Sequence, residues 1–141
     1  DPESRGKMMI ASLMGAVAFQ KGLGIVHSLA HPLSSLLDMH HGLANAICIP
    51  YGMRFNIPGQ KEKFARIATA MGLEKKQGAA VIDALNALNF KIGLPAKLSA
   101  KGVKKEHIEK LADLAIKDFC HPGNPVPVTR DDFKKLYEEA L

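Results

Sequence analysis

The feature that most constrains the fold is a pair of apolar stretches in the first half of the chain. Residues 22–37 contain no charged side chain, and a second apolar stretch covers about residues 43–55. Apolar residues recur at helical spacing, and no segment shows the alternation typical of a strand. Because a helix that is apolar nearly all round must be buried, the two stretches predict a helical hairpin at the core. We therefore expect an all-α domain.

Further helices are predicted on both sides of this hairpin. A first helix should cover residues 3–20, with Asp1 and Pro2 at its start. In the hairpin, the helix at residues 25–37 is expected to bend or restart at Pro32, because proline removes a backbone donor. Amphipathic patterns with clear starts and stops predict the remaining helices at residues 62–71, 76–92, 104–119 and 129–141.

Composition fits one domain and disfavours several functions. The 141 residues are enough for a hydrophobic core, and the net charge of +5 comes from lysines interspersed with acidic residues. No aromatic platform accompanies them, so nucleic-acid binding is disfavoured. No apolar run is long enough to span a membrane, and no signal peptide is visible. Cys48 and Cys120 form no paired motif, so we expect reduced thiols in the cytoplasm.

The strongest chemical signal is a group of histidines between positions 27 and 41. His27 and His31 are four residues apart and share one helix face, and His40 and His41 follow after a short break. Neutral imidazole is the commonest metal ligand, and imidazoles in such apolar surroundings need partners for their nitrogens. A His-x-x-x-His pair also arises often by chance. The spacing alone therefore leaves a metal site, a substrate site and a structural role open.

Other motifs are absent or weaker. There is no G-x-G-x-x-G turn, no P-loop and no G-x-S-x-G motif, so a nucleotide site complete within this chain is not expected. The loop at residues 120–128 contains three prolines and is interpreted as a connector. Cys120 and His121 at its start are reactive residue types that would also suit the lining of a pocket.

The histidine motifs resemble the signature of the iron-containing (group III) alcohol dehydrogenases. In that family an N-terminal α/β domain holds the nicotinamide cofactor, and a C-terminal helical domain holds a divalent metal in the cleft between them. The resemblance implies that residues 1–141 are the single helical metal-binding domain of a two-domain enzyme whose N-terminal dinucleotide-binding domain is absent. The matching residues extend over essentially the whole chain: Ala18-Phe19, residues 22–33, His40-His41-Gly42 with Asn45, Pro50, Phe55-Asn56, Asn124-Pro125 and residues 127–129.

The resemblance also implies roles for individual residues. The family's metal is bound by an Asp and a His on an upstream helix and by two later histidines, which match His27 and His41. His31 matches a histidine beside the nicotinamide that is proposed to relay protons, so it is the expected catalytic residue and a cofactor contact. Phe19 and Cys120 match positions that line the cofactor pocket. His40, which precedes a ligand, is interpreted as a neighbour only.

The implied function is hydride transfer between a small alcohol or aldehyde and NAD or NADP, with Fe²⁺, or Zn²⁺ as the alternative, polarising the substrate oxygen. The upstream Asp-x-x-x-His pair is not in this sequence. We therefore expect the chain alone to be inactive and to need the nucleotide-binding domain as its partner; a homo-oligomer is compatible with the sequence.

Two alternatives stay open. One is a zinc polyol dehydrogenase or a dehydroquinate synthase of the same fold. The other is a non-catalytic helical module for interaction or dimerisation. A Gly-Gly-Gly-Ser-type turn and an Asp-x-x-x-His helix upstream in the same reading frame would favour the enzyme over the non-catalytic module.

Overall fold

The computed structural model describes all 141 residues, and its regular structure is entirely helical. The predicted all-α class is confirmed. Short 3₁₀ helices cover Leu98–Lys101, Lys105–His107 and His121–Gly123. The α-helices are α1 (Pro2–Phe19), α2 (Ile25–Leu37), α3 (His41–Asn56), α4 (Lys61–Ala70), α5 (Gly78–Lys91), α6 (Ile108–Ala115) and α7 (Arg130–Ala140).

The hairpin of α2 and α3 lies at the centre of the core, as its apolar sequence predicts. A cluster of 19 buried residues joins this hairpin to α6, α7 and the segment before α6. Tyr137 of α7 is fully buried, and its hydroxyl donates a hydrogen bond to the carbonyl of Leu29 in α2 over 2.7 Å. A smaller cluster of Phe64, Ala68 and Val81 holds α4 against α5. The hairpin is thus fixed by helices from the far end of the chain.

A tight turn returns the chain from α2 to α3. Asp38 adopts a left-handed conformation with φ 52° and ψ 30°, and the backbone N–H of Met39 donates to the carbonyl of Leu33 over 3.3 Å. Such a conformation costs a non-glycine residue about 1 kcal/mol. Buried Met39, which is 8% exposed, helps to offset that cost. The turn places His41, the first residue of α3, back beside α2.

The start of α2 is held by an asparagine from the other end of the sequence. Gly24 has no side chain to cap the helix, and Asn124 Oδ1 accepts a hydrogen bond from the backbone N–H of Ile25 over 3.2 Å. The amides of Asn124 and Asn56 also donate to each other over 2.7 and 3.0 Å. Asn124 therefore connects the start of α2, the end of α3 and the loop before α7. Its contact at Ile25 lies two residues before His27.

The structure corrects the helix predictions at two places. The predicted helix at residues 104–119 begins as a 3₁₀ turn, and its α-helical part ends at Ala115. There the His121 ring donates from Nε2 to the carbonyl of Ile116 over 2.9 Å, which satisfies an acceptor at the helix end. Of the two possibilities at Pro32, a bend or a restart, the restart does not occur, because the ring is buried in the core and its packing outweighs one lost backbone hydrogen bond. The other helix bounds were predicted within two residues.

Helix α1 differs from the others because none of its residues is buried. It begins as predicted, with the Asp1 carboxylate accepting hydrogen bonds from the backbone N–H groups of Glu3 and Ser4. No helix in the structure combines the length and the apolarity that crossing a bilayer requires. Seven large apolar side chains of α1 are between 57% and 69% exposed: Met8, Met9, Ile10, Leu13, Met14, Val17 and Phe19.

Candidate metal and proton-relay site

Three of the histidines singled out in the sequence meet at one place. Their ring centroids lie 5.7 Å apart for His27 and His31, 5.5 Å for His27 and His41, and 5.3 Å for His31 and His41. The rings of His31 and His41 are stacked at 22°, and His27 meets His31 edge-on at 69°. His40 is exposed at the N-cap of α3 and makes no ring contact with them. The hairpin turn thus brings His41 to the two histidines of α2.

The surroundings of His27 and His41 bear on their capacity to bind a metal. Burial lowers the pKa of His27, the neighbouring His31 and His41 lower it further, and Asp118 acts in the opposite direction. At His41, Nε2 accepts a hydrogen bond from Asn45 Nδ2 over 2.9 Å, and the same amide nitrogen donates to the His41 carbonyl over 3.1 Å. Asn45 Oδ1 is buried without a partner. The lowered pKa of His27 favours a neutral ring with a nitrogen lone pair, whereas the Nε2 lone pair of His41 is engaged by Asn45 and becomes available to a metal only when that hydrogen bond is broken.

A divalent metal fits this site as part of a larger donor set. Imidazole nitrogens suit iron and zinc, and a metal site of this type needs three or more protein ligands. His27 and His41 supply two nitrogens. The carboxylate beside the histidines, that of Asp118, is already engaged in hydrogen bonds with both of its oxygens. The chain therefore offers about half of the donors that a complete site requires.

Asp118 is the main site residue that the sequence reasoning missed. Its carboxylate accepts hydrogen bonds from Ser28 Oγ (2.6 Å), His31 Nδ1 (2.7 Å) and the backbone N–H of Cys120 (2.9 Å). Burial by itself would raise the pKa of Asp118, but these hydrogen bonds outweigh it and lower the pKa to about 2. The carboxylate is ionised near neutral pH and can only accept, so His31 Nδ1 carries the hydrogen, and in the neutral ring Nε2 carries the lone pair.

A second cluster of potential ligands is better explained by hydrogen bonding. Ligand-type atoms of His31, Asp118 and Cys120 lie within 4.8 Å of one another. Burial raises the pKa of the Cys120 thiol to about 12, and the adjacent Asp118 carboxylate adds to this effect. The thiol is therefore protonated near neutral pH, whereas metals bind the thiolate. Asp118 and Cys120 therefore form a hydrogen-bonded support for His31 rather than a metal centre.

The two residues expected to line the cofactor pocket lie in different surroundings. Cys120 is buried beside Asp118 and thus close to His31. Phe19, at the end of α1, is 57% exposed and makes no ring contact with the histidines. The aromatic ring that does contact His31 belongs to Phe119, with centroids 5.9 Å apart. Phe119 was predicted only as the end of a helix, and its 81% exposure leaves its other face open.

Comparison with known proteins accounts for this arrangement. The family model described as "Fe-containing alcohol dehydrogenase family, C-terminal" matches residues 1–141. The chain belongs to the iron-containing alcohol dehydrogenase family. It is 39% identical to lactaldehyde reductase of Escherichia coli (strain K12) over 148 residues, which cover 99% of the chain and 38% of the relative. It is 37% identical to 4-hydroxybutyrate dehydrogenase of Cupriavidus necator over 150 residues, which cover 100% of the chain and 39% of the relative.

A solved structure shows the same fold. The iron-containing alcohol dehydrogenase from Thermococcus thioreducens superposes with a TM-score of 0.87 and 28% sequence identity, over 99% of this chain and 38% of that one. The chain thus spans about two fifths of the length of the family members it matches. The predicted resemblance to this family, and to its C-terminal helical domain, is confirmed.

Proposed function

We propose that residues 1–141 are the metal-binding helical domain of an NAD(P)-dependent alcohol dehydrogenase. The observation that carries this proposal is the meeting of His27, His31 and His41 in a domain of the iron-containing alcohol dehydrogenase family. Two of the relatives are named as a reductase and a dehydrogenase. We infer a small alcohol or aldehyde as the substrate, and the unpaired Cys48 and Cys120 fit an enzyme of the cytoplasm.

His27 and His41 would hold the metal. Fe²⁺ is our first choice from the family, and Zn²⁺ is the alternative because imidazole suits both. The metal, when bound, would act as a Lewis acid on the substrate oxygen. We further propose that a separate N-terminal domain supplies the remaining ligands and binds NAD or NADP, which would receive or donate the hydride. The single helical domain would then be one wall of the active-site cleft.

His31 would move the proton of the substrate hydroxyl. Its Nδ1 donates to Asp118, so the unprotonated Nε2 is free to accept a proton. The side chain is 31% exposed, which leaves a route for that proton to solvent. Cys120 and Phe19 would line the pocket on the cofactor side, and for Phe19 this requires α1 to pack against the missing domain.

Metal retention by single variants of the complete protein tests these roles. His27→Ala and His41→Ala should abolish retention of one equivalent of metal after anaerobic loading and dialysis, because each removes a ligand. His31→Ala should retain the metal and mainly lower kcat. His40→Ala is the matched control, since it removes an adjacent exposed imidazole, and it should change neither quantity. Metal loss in His31→Ala equal to that in His27→Ala would contradict the assignment.

A non-catalytic interaction or dimerisation module is the second candidate function. The exposed apolar side chains of α1 favour it, because such a surface is normally covered by another protein surface. If this is the function, substitution of the histidines would leave partner binding unchanged, whereas Leu13→Asp in α1 would abolish it. Metal-dependent dehydrogenase activity in the complete protein would decide against this candidate.

A further inference from the structure

We propose that Asp118 is a positioning residue for the proton relay. It fixes the orientation and the tautomer of His31, so that Nε2 is the nitrogen that accepts the proton of the substrate hydroxyl. This inference rests on the proposed function only where it assigns His31 a role in turnover. The hydrogen-bonding link itself can be tested without any activity.

Two hydrogen bonds besides the one from His31 hold the carboxylate of Asp118 in place. Oδ1 accepts from the hydroxyl of Ser28, which is fully buried in α2, and from the backbone N–H of Cys120. Only Oδ2 is then left for His31 Nδ1, at 2.7 Å. The Asp118 side chain is 10% exposed, so water has little access to compete for these bonds. The carboxylate therefore presents one oxygen in a defined direction.

This oxygen defines the state of the His31 ring. An ionised carboxylate can only accept, so it selects the tautomer with hydrogen on Nδ1 and a lone pair on Nε2. The ring is also stacked on His41 and meets Phe119 at 5.9 Å, which restricts its rotation. Nε2 has no hydrogen-bond partner among the residues of this chain, so it stays available to an external group. Partners of this kind are known to orient histidines at metal sites.

The tautomer decides which proton transfer is possible. With the lone pair on Nε2, the O–H bond of the substrate breaks, an Nε2–H bond forms, and the electron pair of the broken bond stays on the substrate oxygen. The ring then carries hydrogen on both nitrogens, and Nδ1 keeps its hydrogen bond to Asp118. Loss of the Nε2 proton to water restores the starting state. A ring with hydrogen already on Nε2 could not accept the proton, so the opposite tautomer would block the relay.

Asp118→Asn is the sharpest test because it keeps the shape of the side chain and changes only its hydrogen-bonding capacity. The Asn oxygen would take over the bonds from Ser28 and Cys120, so the amide NH₂ would face His31 and donate to Nδ1. The expected result in the zinc-loaded complete protein, labelled with ¹⁵N-histidine, is a switch of the hydrogen from Nδ1 to Nε2 in the NMR spectrum. We also expect kcat to fall by about 100-fold or more, with metal content unchanged.

Two further variants separate positioning from a general structural role. Ser28→Ala removes one hydrogen bond to the same carboxylate and should keep the hydrogen on His31 Nδ1, with a smaller loss of kcat. In a His31→Ala background, Asp118→Asn should cost no further activity, because the two residues act as a unit. A further loss of about 100-fold in that background would overturn the proposal, and so would hydrogen on Nε2 in the wild-type protein.

The proposed function and this inference fail in different ways. If the complete wild-type protein shows no metal-dependent dehydrogenase activity, the proposed function is refuted. The NMR spectrum then still decides whether Asp118 sets the His31 tautomer. If Asp118→Asn does not fold, the wild-type spectrum gives the answer alone, with hydrogen on Nδ1 supporting the inference and hydrogen on Nε2 refuting it.

Discussion

Helices α1 and α2 are both rich in apolar residues, yet α1 has no buried residue and α2 is central to the core. In α2, 6 of 13 residues are buried, whereas α1 has none among 18. Helix α1 is capped locally by Asp1, whereas the start of α2 is held by the distant Asn124. Of the two, only α2 packs against α3 and α6 and accepts a hydrogen bond from α7. The difference shows that an apolar sequence with helical spacing forms a helix in both places, whereas burial depends on which surfaces are available as partners.

The residues of the candidate site also differ according to whether they lie on the buried hairpin or on the exposed α1. His27 and His31 lie on α2 and His41 begins α3, so the helices that form the core also fix the three imidazoles. The contribution expected from α1, Phe19, is the one that is not brought to the histidines. The well-packed hairpin therefore holds the three imidazoles close together, whereas the apolar surface of α1 is left uncovered.

The largest expected effect comes from matched leucine truncations in these two helices. Leu29→Ala in α2, where the side chain is 1% exposed, should lower the free energy of unfolding by about 2–5 kcal/mol, because it leaves a cavity. Leu13→Ala in α1, where the side chain is 64% exposed, should change it by less than about 0.5 kcal/mol. Urea unfolding of the 141-residue chain measures both. Equal losses would show that α1 is packed in solution, and the comparison would fail.

A smaller loss of stability is expected when the hydrogen bonds that hold the start of α2 are removed. Asn124→Ala removes the acceptor for the Ile25 N–H and the paired amide of Asn56, and should cost about 1–3 kcal/mol. Asn86→Ala is a suitable control, since Asn86 is exposed in α5 and makes no side-chain hydrogen bond. Urea unfolding should separate the two variants. An Asn124→Ala protein as stable as the control would mean that α2 does not need this support.

The smallest effects on the free energy of unfolding are expected from substitutions at the N-caps of α7 and α1. Thr129→Ala removes a capping box from α7, which packs on the core, and should cost about 1 kcal/mol of global stability. Asp1→Ala removes the cap of α1 and should leave the global unfolding free energy unchanged, because α1 is not part of the cooperative core. Amide hydrogen exchange should instead show faster exchange confined to the first turn of α1. A global loss from Asp1→Ala would contradict this separation.

Much of the fold was predictable because its signals are local. Helical periodicity, Asp1 with Pro2, and Thr129 with Asp132 mark helix positions without reference to the rest of the chain. The unbroken course of α2 through Pro32 was not predictable from local preference, because core packing decides it. The early end of α6 depends on the His121 ring, which has no signature in a helical pattern.

The site was predictable only in part, because some of its contacts join residues that are far apart in the sequence. His27, His31 and His41 lie close together in sequence, so their motifs could be recognised and their meeting expected. Asp118 lies 87 residues from His31, and nothing in the intervening sequence indicates that the two meet. The only local signal was an acidic residue two positions before Cys120. Here the supporting carboxylate comes from a distant part of the chain, whereas the three histidines come from one short stretch.

The most direct test of the central claim, that this chain carries half of a metal site, is a comparison of metal affinity. The 141-residue chain and the longer protein that includes the nucleotide-binding domain would be loaded anaerobically with iron(II) and with zinc, and stoichiometry and Kd measured for each. We predict tight one-to-one binding in the longer protein only. Tight binding by the 141 residues alone would contradict the claim, because local side chains such as His31 or His40 would then complete the site.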